Sequence, residues 1–129
     1  MAGTPEYMSP EHARGEGVDI RTDLYSLGVT IFEMLTGQVP FKAKSAINVL
    51  RMHCEEEIPD ILEEREDIPP NVAVVIRMAL AKNRDERFID ATEMASAMAK
   101  VQRHNRASGH SRAHRCLHAE SRREWWTAP

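Results

Sequence analysis

The sequence DIRTDLYSLGVTIFEMLTGQVPF, residues 19–41, contains the strongest helical pattern in the chain. It predicts a helix from about Asp23 to Thr36, because Gly37 is a favoured residue just past a helix end and Pro40 prevents continuation. The apolar residues of this helix cover an arc of about 220°, roughly twice the width that a surface helix needs. They are Leu24, Tyr25, Leu27, Val29, Ile31, Phe32, Met34 and Leu35. We therefore expect other elements to surround this helix.

Three further helices are predicted towards the C-terminus. Ser45 can cap a helix that runs through Cys54. Pro70 is suited to the first turn of the next helix, which carries a regular apolar stripe. Asp90 and Glu93 resemble a capping box at the start of the last helix.

The remaining segments are predicted to be loops. Residues 1–21 are rich in Gly, Pro and charge and indicate a loop that ends in a short helix. The acidic stretch 55–67 is expected to be an exposed loop. No alternating strand pattern of useful length is present, so the predicted fold class is all-α.

The charge of the chain divides into an acidic and a basic part. Residues 1–99 carry 10 Lys/Arg and 18 Asp/Glu, a net charge of −8, whereas residues 100–129 carry a net charge of +5. From about Arg103 the helical periodicity disappears and few aliphatic residues remain, which favours a disordered basic tail.

The tail raises two further possibilities, which we do not favour. Its spacing of His and Cys matches no common zinc pattern, so no metal site is predicted; the residues concerned are His104, His110, His114, Cys116 and His118. Basic charge beside Trp125 and Trp126 could contact a polyanion, but a simply solvated tail is preferred over nucleic-acid binding.

Nothing in the sequence indicates export or a membrane. No run approaches the 18 or so apolar residues that cross a bilayer, and the N-terminus lacks the features of a secretory signal. Cys54 and Cys116 lie far apart and are interpreted as free thiols in a reducing compartment. The expected location is the cytoplasm.

Three motifs together resemble the protein kinase family. GTPEYMSPE, residues 3–11, resembles the end of an activation segment, with Ser9 in place of the alanine of A-P-E. Residues 19–41 are similar to the central helix of the kinase C-terminal lobe, and KNRDERF, residues 82–88, is similar to the loop before the last kinase helix. These sequences are most similar to those of bacterial kinases of the eukaryotic Ser/Thr type. The resemblance implies a partial C-terminal lobe, helices F to I, in residues 1–102, and a tail in residues 103–129.

The resemblance assigns expected roles to four residues. Thr4 matches the threonine that faces the substrate beside the phosphorylated residue, and it is also a candidate phosphoacceptor. Glu11 and Arg87 match a buried ion pair of structural function. Asp23 matches a carboxylate that accepts backbone hydrogen bonds from the catalytic loop.

Each role has an alternative. Thr4 can instead be a turn residue beside Pro5, and Asp23 an acidic residue favoured by the helix dipole. For Glu11 and Arg87 the alternative is a carboxylate at a helix end and a solvated guanidinium. For Glu33, on the polar arc of the central helix, a solvated or paired carboxylate is preferred over contact with a basic peptide.

The parts that perform phosphoryl transfer are not found in this sequence. It contains no G-x-G-x-x-G, no V-A-I-K-like strand, no H-R-D and no D-F-G. We therefore expect no catalytic, cofactor-binding or metal-binding residues in this chain, and no kinase activity from the chain alone. ATP and Mg²⁺ are implied only for an intact kinase, which could be membrane-anchored.

Two functions are carried forward. The first is a fragment of a Ser/Thr protein kinase, a phosphotransferase whose partners are protein substrates. The alternative is a non-catalytic interaction module that docks a substrate or a partner kinase. A polyanion-binding tail is a third and weaker hypothesis.

Overall fold

The computed structural model describes residues 4–107, which form six α-helices. These are α1 (Pro10–Ala13), α2 (Ile20–Thr36), α3 (Ala46–Glu55), α4 (Ile61–Glu64), α5 (Pro70–Ala79) and α6 (Ala91–Ala107). Two short 3-10 turns, Pro5–Tyr7 and Arg84–Glu86, precede α1 and α6. Residues 4–107 contain no β-strand, so the predicted all-α fold class is confirmed.

The central helix α2 has the C-terminus that the sequence predicts and an earlier start. Asp19 Oδ1 accepts the backbone N–H of Arg21 at 2.8 Å, so the helix begins at Ile20 rather than near Asp23. At the other end Gly37 adopts φ 79°, and its N–H donates to Glu33 O at 2.7 Å. A residue with a side chain would be strained there, which explains why the helix ends at a glycine.

Helix α2 lies between two groups of buried apolar side chains. The first group joins it to α5 and α6 and comprises Leu24, Val75, Met78, Ala79, Phe88, Met94, Ala97 and Val101. The second joins it to α4 and α5 and comprises Tyr25, Val29, Phe32, Ile61, Ile68, Ala73, Ile76 and Leu80. The two helices α2 and α5 approach closely at Gly28, where an added Cβ would lie 2.9 Å from Ala79 Cβ.

One apolar face of α2 stays exposed. Ile20, Leu27 and Met34 are spaced by seven residues and therefore share one face of the helix. Their exposed fractions are 48%, 46% and 78%. We call these three residues the open stripe of α2. Within residues 4–107, other elements cover the remaining apolar positions of this helix and leave the open stripe exposed.

The other predicted helix starts agree with the structure. Ser45 Oγ accepts the N–H of Asn48 at 3.2 Å and caps α3, and Pro70 opens α5. At α6, Asp90 Oδ1 accepts the N–H of Glu93 at 2.8 Å, while the Glu93 carboxylate accepts the N–H of Ile89 at 2.8 Å. The bonding is that of a capping box, with the return bond displaced by one residue.

The prediction of an exposed loop over residues 55–67 is wrong at its centre. Asp60 Oδ1 accepts the N–H of Leu62 at 3.0 Å and caps the short helix α4. The Asp60 carboxylate also lies 2.8 Å from Arg77 on α5. These contacts seat Ile61 in the second buried group, where it is 2% exposed.

The last helix extends beyond the predicted start of the tail. Residues 103–107 are helical, and Asn71 Nδ2 on α5 donates to Asn105 Oδ1 at 3.2 Å. Adding a residue to an existing helix costs little compared with starting one, so few anchoring contacts are needed to extend α6. Residues 108–129, on which the rest of the disorder prediction falls, lie outside the described residues.

Candidate functional site

Residues 4–13 form a short segment that packs against α2 and α3. Pro5 opens the 3-10 turn and Pro10 opens α1, since proline is pre-organised for the first helical position. Ser9 is buried, and its hydroxyl accepts the N–H of His12 at 3.2 Å. We call residues 4–8, from Thr4 to Met8, the substrate-facing segment, after the role that the resemblance implies.

Glu11 and Arg87 form a buried bidentate ion pair. Arg87 Nη1 lies 2.6 Å from Glu11 Oε1, and Arg87 Nη2 lies 2.9 Å from Oε2. Glu11 is 2% exposed and Arg87 is fully buried. The planar guanidinium matches the carboxylate with two parallel hydrogen bonds, so the pair fixes α1 against the loop before α6.

The pair is completed by neighbouring groups. Arg87 Nε donates to Ala81 O at 2.8 Å, and Nη1 also donates to Arg21 O at 3.2 Å. Thr22 Oγ1 on α2 donates to Glu11 Oε1 at 3.0 Å. Burial is the largest single influence and opposes the ionisation of Glu11. The hydrogen bonds and charge of Arg87, together with hydrogen bonds from the Glu11 backbone and Ser9, outweigh it and lower the pKa of Glu11 to about 2. Both charges are therefore present at neutral pH.

Thr4 and Asp23 line the same open cleft, which has a volume of about 500 Å³. The other lining residues are Tyr7, Met8, His12, Val18, Asp19, Thr22 and Ser26. Thr4 is exposed, and its side chain makes no capping bond to the turn that follows it, although its carbonyl accepts the N–H of Tyr7 at 3.1 Å. Asp23 is exposed in the first turn of α2, a favourable position for a negative charge.

Tyr7 fastens the substrate-facing segment to α2 at two points. Its hydroxyl donates to the carboxylate of Glu33, and Ser26 Oγ donates to its backbone carbonyl at 2.6 Å. The hydrogen bond to Glu33 raises the pKa of Tyr7. Glu33 is thus paired within the chain, which is the preferred interpretation of that residue. Sequence analysis assigned no role to Tyr7, and its place inside GTPEYMSPE was the available signal.

His53 is a buried polar residue that sequence analysis did not identify. Its ring lies between α2 and the substrate-facing segment, with Nδ1 2.6 Å from Tyr25 Oη and Nε2 3.0 Å from Glu6 O. Burial lowers the pKa of His53 to about 4, so the ring is neutral at physiological pH. The available signal was its position four residues after Val49, on the inward face of α3.

Metal and membrane sites are not found in the described part of the chain. Within residues 4–107, no group of three or more His, Cys, Asp or Glu side chains is placed to hold a metal ion. His110, His114, Cys116 and His118 lie outside these residues. No helix of residues 4–107 combines the length and the apolar character that a membrane span requires.

Comparison with known proteins connects this geometry to one family. The family model described as "Protein kinase domain" matches residues 1–120. The serine/threonine-protein kinase PknB of Mycolicibacterium smegmatis is 42% identical over 101 residues, which cover 78% of this chain and 16% of that protein. The serine/threonine-protein kinase PksC of Streptomyces coelicolor is 40% identical over 101 residues, covering 78% of this chain and 18% of that protein.

A third relative, the probable serine/threonine-protein kinase PknB of Lactococcus lactis subsp. lactis, is 37% identical over 99 residues, covering 77% of this chain and 16% of that protein. The chain thus spans about a sixth of the length of the curated relatives it matches. The family match and the relatives agree with the family that the three motifs resemble. This chain belongs to the protein kinase family and resembles its bacterial serine/threonine members.

Proposed function

We propose that residues 1–102 are the part of a kinase C-terminal lobe that runs from the end of the activation segment to the last helix. The Glu11–Arg87 pair carries this proposal. It joins the motifs GTPEYMSPE and KNRDERF across 76 positions of sequence. The third motif supplies α2, whose Tyr25 ring lies beneath the Arg87 guanidinium, with the ring centroid 4.9 Å from Cζ.

The function of the parent protein is then the transfer of the γ-phosphoryl group of ATP to Ser or Thr of a protein substrate. Phosphoryl transfer depends mainly on positioning and electrostatic stabilisation. The part played by this chain is positioning: the Thr4 hydroxyl, on the wall of the open cleft, orients the acceptor residue. Because Thr4 is exposed, it is also the candidate phosphoacceptor.

The exposed surfaces of α2 suit contacts with the rest of a C-terminal lobe. The Asp23 carboxylate in the cleft accepts backbone hydrogen bonds from the catalytic loop in this proposal. The open stripe of α2 provides the apolar surface on which the remaining elements pack.

ATP and Mg²⁺ are implied by the family, but the described residues do not fit them. Residues 4–107 offer no cluster arranged to hold a metal ion, and the sequence has none of the motifs that cover ATP or bind its metal. We therefore propose that these 129 residues alone do not catalyse phosphoryl transfer.

A chimaera tests the proposed placement. Residues 1–102 would replace the matching segment of a related kinase, such as PknB of Mycolicibacterium smegmatis. The chimaera is expected to phosphorylate protein, and Thr4→Ala is expected to lower kcat/KM by on the order of 10²-fold, whereas Thr4→Ser retains it. A folded chimaera that binds ATP and transfers no phosphoryl group would contradict the proposal.

The inactivity of the chain alone needs a separate test. The purified chain is incubated with radiolabelled ATP, Mg²⁺ and a general protein substrate, with the active chimaera as the positive control. We expect no label in protein from the chain alone. Label transferred in proportion to chain concentration, after removal of contaminating kinases, would overturn this part of the proposal.

A non-catalytic docking module is the second candidate, and one observation favours it. Ile47 on α3 is 74% exposed, on a different helix from the open stripe. If α3 docks a protein substrate or a partner kinase, Ile47→Lys weakens binding to the kinase domain of a related protein, measured by calorimetry. Ile89→Lys, at a 63% exposed position before α6, is the matched control. Equal effects of both variants, or no binding by the chain, would exclude this function.

The remaining predictions about the whole chain stay predictions. The division between residues 102 and 103 is one of them, although α6 continues to Ala107 and the family match to residue 120. The cytoplasmic location and the absence of a nucleic-acid partner are the others.

A further inference from the structure

His53 joins three elements through two hydrogen bonds. It projects from α3, its Nδ1 contacts Tyr25 on α2, and its Nε2 contacts the backbone carbonyl of Glu6 in the substrate-facing segment. His53 and Tyr25 are fully buried, so solvent does not compete for either bond. No role of His53 follows from the three kinase motifs, because the residue lies outside all of them.

The chemistry of the partners fixes the direction of both hydrogen bonds. The carbonyl of Glu6 can only accept, so His53 Nε2 carries the proton. In the neutral ring Nδ1 is then an acceptor, and the Tyr25 hydroxyl is its donor. Each ring nitrogen is therefore satisfied by one partner, and a ring flip would lose both bonds.

Aromatic packing holds the ring in this orientation. The Tyr25 and His53 ring centroids are 5.5 Å apart at an interplanar angle of 69°. The Phe41 and His53 ring centroids are 5.0 Å apart at an interplanar angle of 83°. Both geometries are edge-to-face, the arrangement that aromatic rings prefer. Lys82 Nζ lies over the far ring of this stack, 4.5 Å from the Phe41 centroid.

The Glu6 carbonyl belongs to the 3-10 turn Pro5–Tyr7, so its hydrogen bond to His53 holds the backbone of that turn. The bonds within the turn run from Tyr7 N to Thr4 O at 3.1 Å and from Met8 N to Pro5 O at 3.3 Å. On one side Tyr7 is bound to α2 through Ser26 and Glu33, whereas Glu6 is bound to α3 through His53. Thr4 lies only two residues from that anchor and accepts a hydrogen bond within the same turn.

We propose that His53 is a positioning residue that anchors the substrate-facing segment to α3 through the Glu6 carbonyl, and thereby sets the affinity for the peptide substrate. The kinetic part of this inference rests on the proposed function, whereas the anchoring itself does not. The anchor also gives α3 a route to affect peptide binding when a partner contacts that helix.

Two isosteric variants separate the two bonds of the ring. The amide nitrogen of Gln lies near the position of Nε2, so His53→Gln can still donate to Glu6 while it loses the bond to Tyr25. The amide of Asn lies near the position of Nδ1, so His53→Asn can still meet Tyr25 while it loses Glu6. Asn is smaller than Gln by one methylene group, so a packing role alone would also affect His53→Asn more than His53→Gln. A packing defect would, however, accelerate exchange of the control amide in α1 as well as the amides of the segment.

The first readout is amide hydrogen exchange in the full chain. We expect His53→Asn to accelerate exchange of the Tyr7 and Met8 amides by about 2- to 10-fold, the effect of one lost neutral hydrogen bond, and His53→Gln to leave them near the wild-type rate. The Ala13 amide, which donates to Ser9 O at 2.9 Å within α1, is the internal control. Equal rates in the two variants would overturn the anchoring.

The second readout is steady-state kinetics in the chimaera defined above. His53→Asn is expected to raise KM for the peptide by about 2- to 10-fold with KM for ATP unchanged. His53→Gln is expected to keep the wild-type KM for the peptide. A change in both KM values, or the same change in both variants, would contradict a positioning role. If the wild-type chimaera is inactive, the proposed function fails, while the exchange comparison still decides whether His53 anchors the segment.

Discussion

The carboxylate of Glu11 and the guanidinium of Arg87 meet across 76 positions of sequence at distances of 2.6 and 2.9 Å, out of contact with solvent. One partner belongs to α1 and the other to the loop before α6, so the pair links the two ends of the described chain. Arg87 also bonds to backbone carbonyls before α6 and on α2. Loss of either partner therefore leaves a buried charge whose other contacts cannot replace it.

Breaking this ion pair is expected to destabilise the chain strongly. Glu11→Gln leaves the Arg87 charge buried without a counter-charge, and the free energy of unfolding should fall by about 3–5 kcal/mol. Arg87→Lys keeps the positive charge but cannot reproduce the two parallel hydrogen bonds, so it should also lower the free energy of unfolding, by less than Glu11→Gln. Urea titration followed by circular dichroism measures both.

The matched control is the exposed ion pair between Arg14 and Glu16, at 2.8 Å. Glu16→Gln removes the same kind of charge at the surface, where substitutions usually change stability by less than about 0.5 kcal/mol. If Glu11→Gln and Glu16→Gln lower the free energy of unfolding equally, burial does not determine how much the Glu11–Arg87 pair contributes to stability.

Acidification is expected to destabilise the chain over two pH ranges that overlap slightly near pH 4. Burial lowers the pKa of His53 to about 4 from its ordinary 6.5, so the unfolded state binds more protons between these values. The contribution of neutral His53 to the free energy of unfolding is fully present above about pH 6.5 and is lost as the pH falls to about 4. The loss is about 3 kcal/mol. Burial raises the pKa of Glu11, but Arg87, the Glu11 backbone and Ser9 together lower it to about 2, against 4.5 in the unfolded chain. The stability that Glu11 contributes is therefore lost as the pH falls from about 4.5 to about 2.

Urea unfolding at pH values from 7.5 to 3.5 measures the upper range. The His53→Gln variant cannot titrate there, so its stability should change less between pH 6.5 and 4 than that of the wild type, even if it is lower at every pH. If both proteins lose stability with the same slope, His53 is not the group responsible.

The ends of the helices could be predicted because local residues determine them. Gly37 ends α2, Ser45 caps α3 and Pro70 starts α5, and each acts through its own backbone or a neighbour within three residues. Helix α4 has only four residues, which is too short for a periodic pattern. Burial of Ile61 depends on α2 and α5, which no local pattern reports.

The candidate site also contains features that local sequence cannot predict. No spacing rule pairs Glu11 with Arg87, and the expectation came from the kinase resemblance alone. The sequence predicts the helix α3 that carries His53, but the two hydrogen-bond partners of His53 lie on other elements. Partners of this kind become visible only when the packing of α2, α3 and the substrate-facing segment is known.

Gly28 is expected to be intolerant of any side chain. Alanine is the better helix former by about 1 kcal/mol, yet its Cβ would lie 2.9 Å from Ala79 Cβ and 3.3 Å from Leu80 Cγ. We expect Gly28→Ala to lower the free energy of unfolding by about 1–3 kcal/mol through overpacking between α2 and α5. Gly17→Ala is the control, because an added Cβ there meets nothing within 4 Å. A stabilised Gly28→Ala protein would contradict the close approach of the two helices.

The open stripe of α2 is expected to make the chain prone to association. The exposed apolar side chains of Ile20, Leu27 and Met34 share one face of α2, which favours self-association and the binding of dyes specific for exposed apolar surface. We expect the double variant Leu27→Lys/Met34→Lys to bind several-fold less dye and to sediment as a smaller species, because it places a charge at two of the three positions of the stripe. Ile47→Lys, on α3, should leave both measurements nearly unchanged. A wild-type chain that is monomeric, binds no dye and unfolds in one sharp thermal transition would show that this face does not need a covering partner.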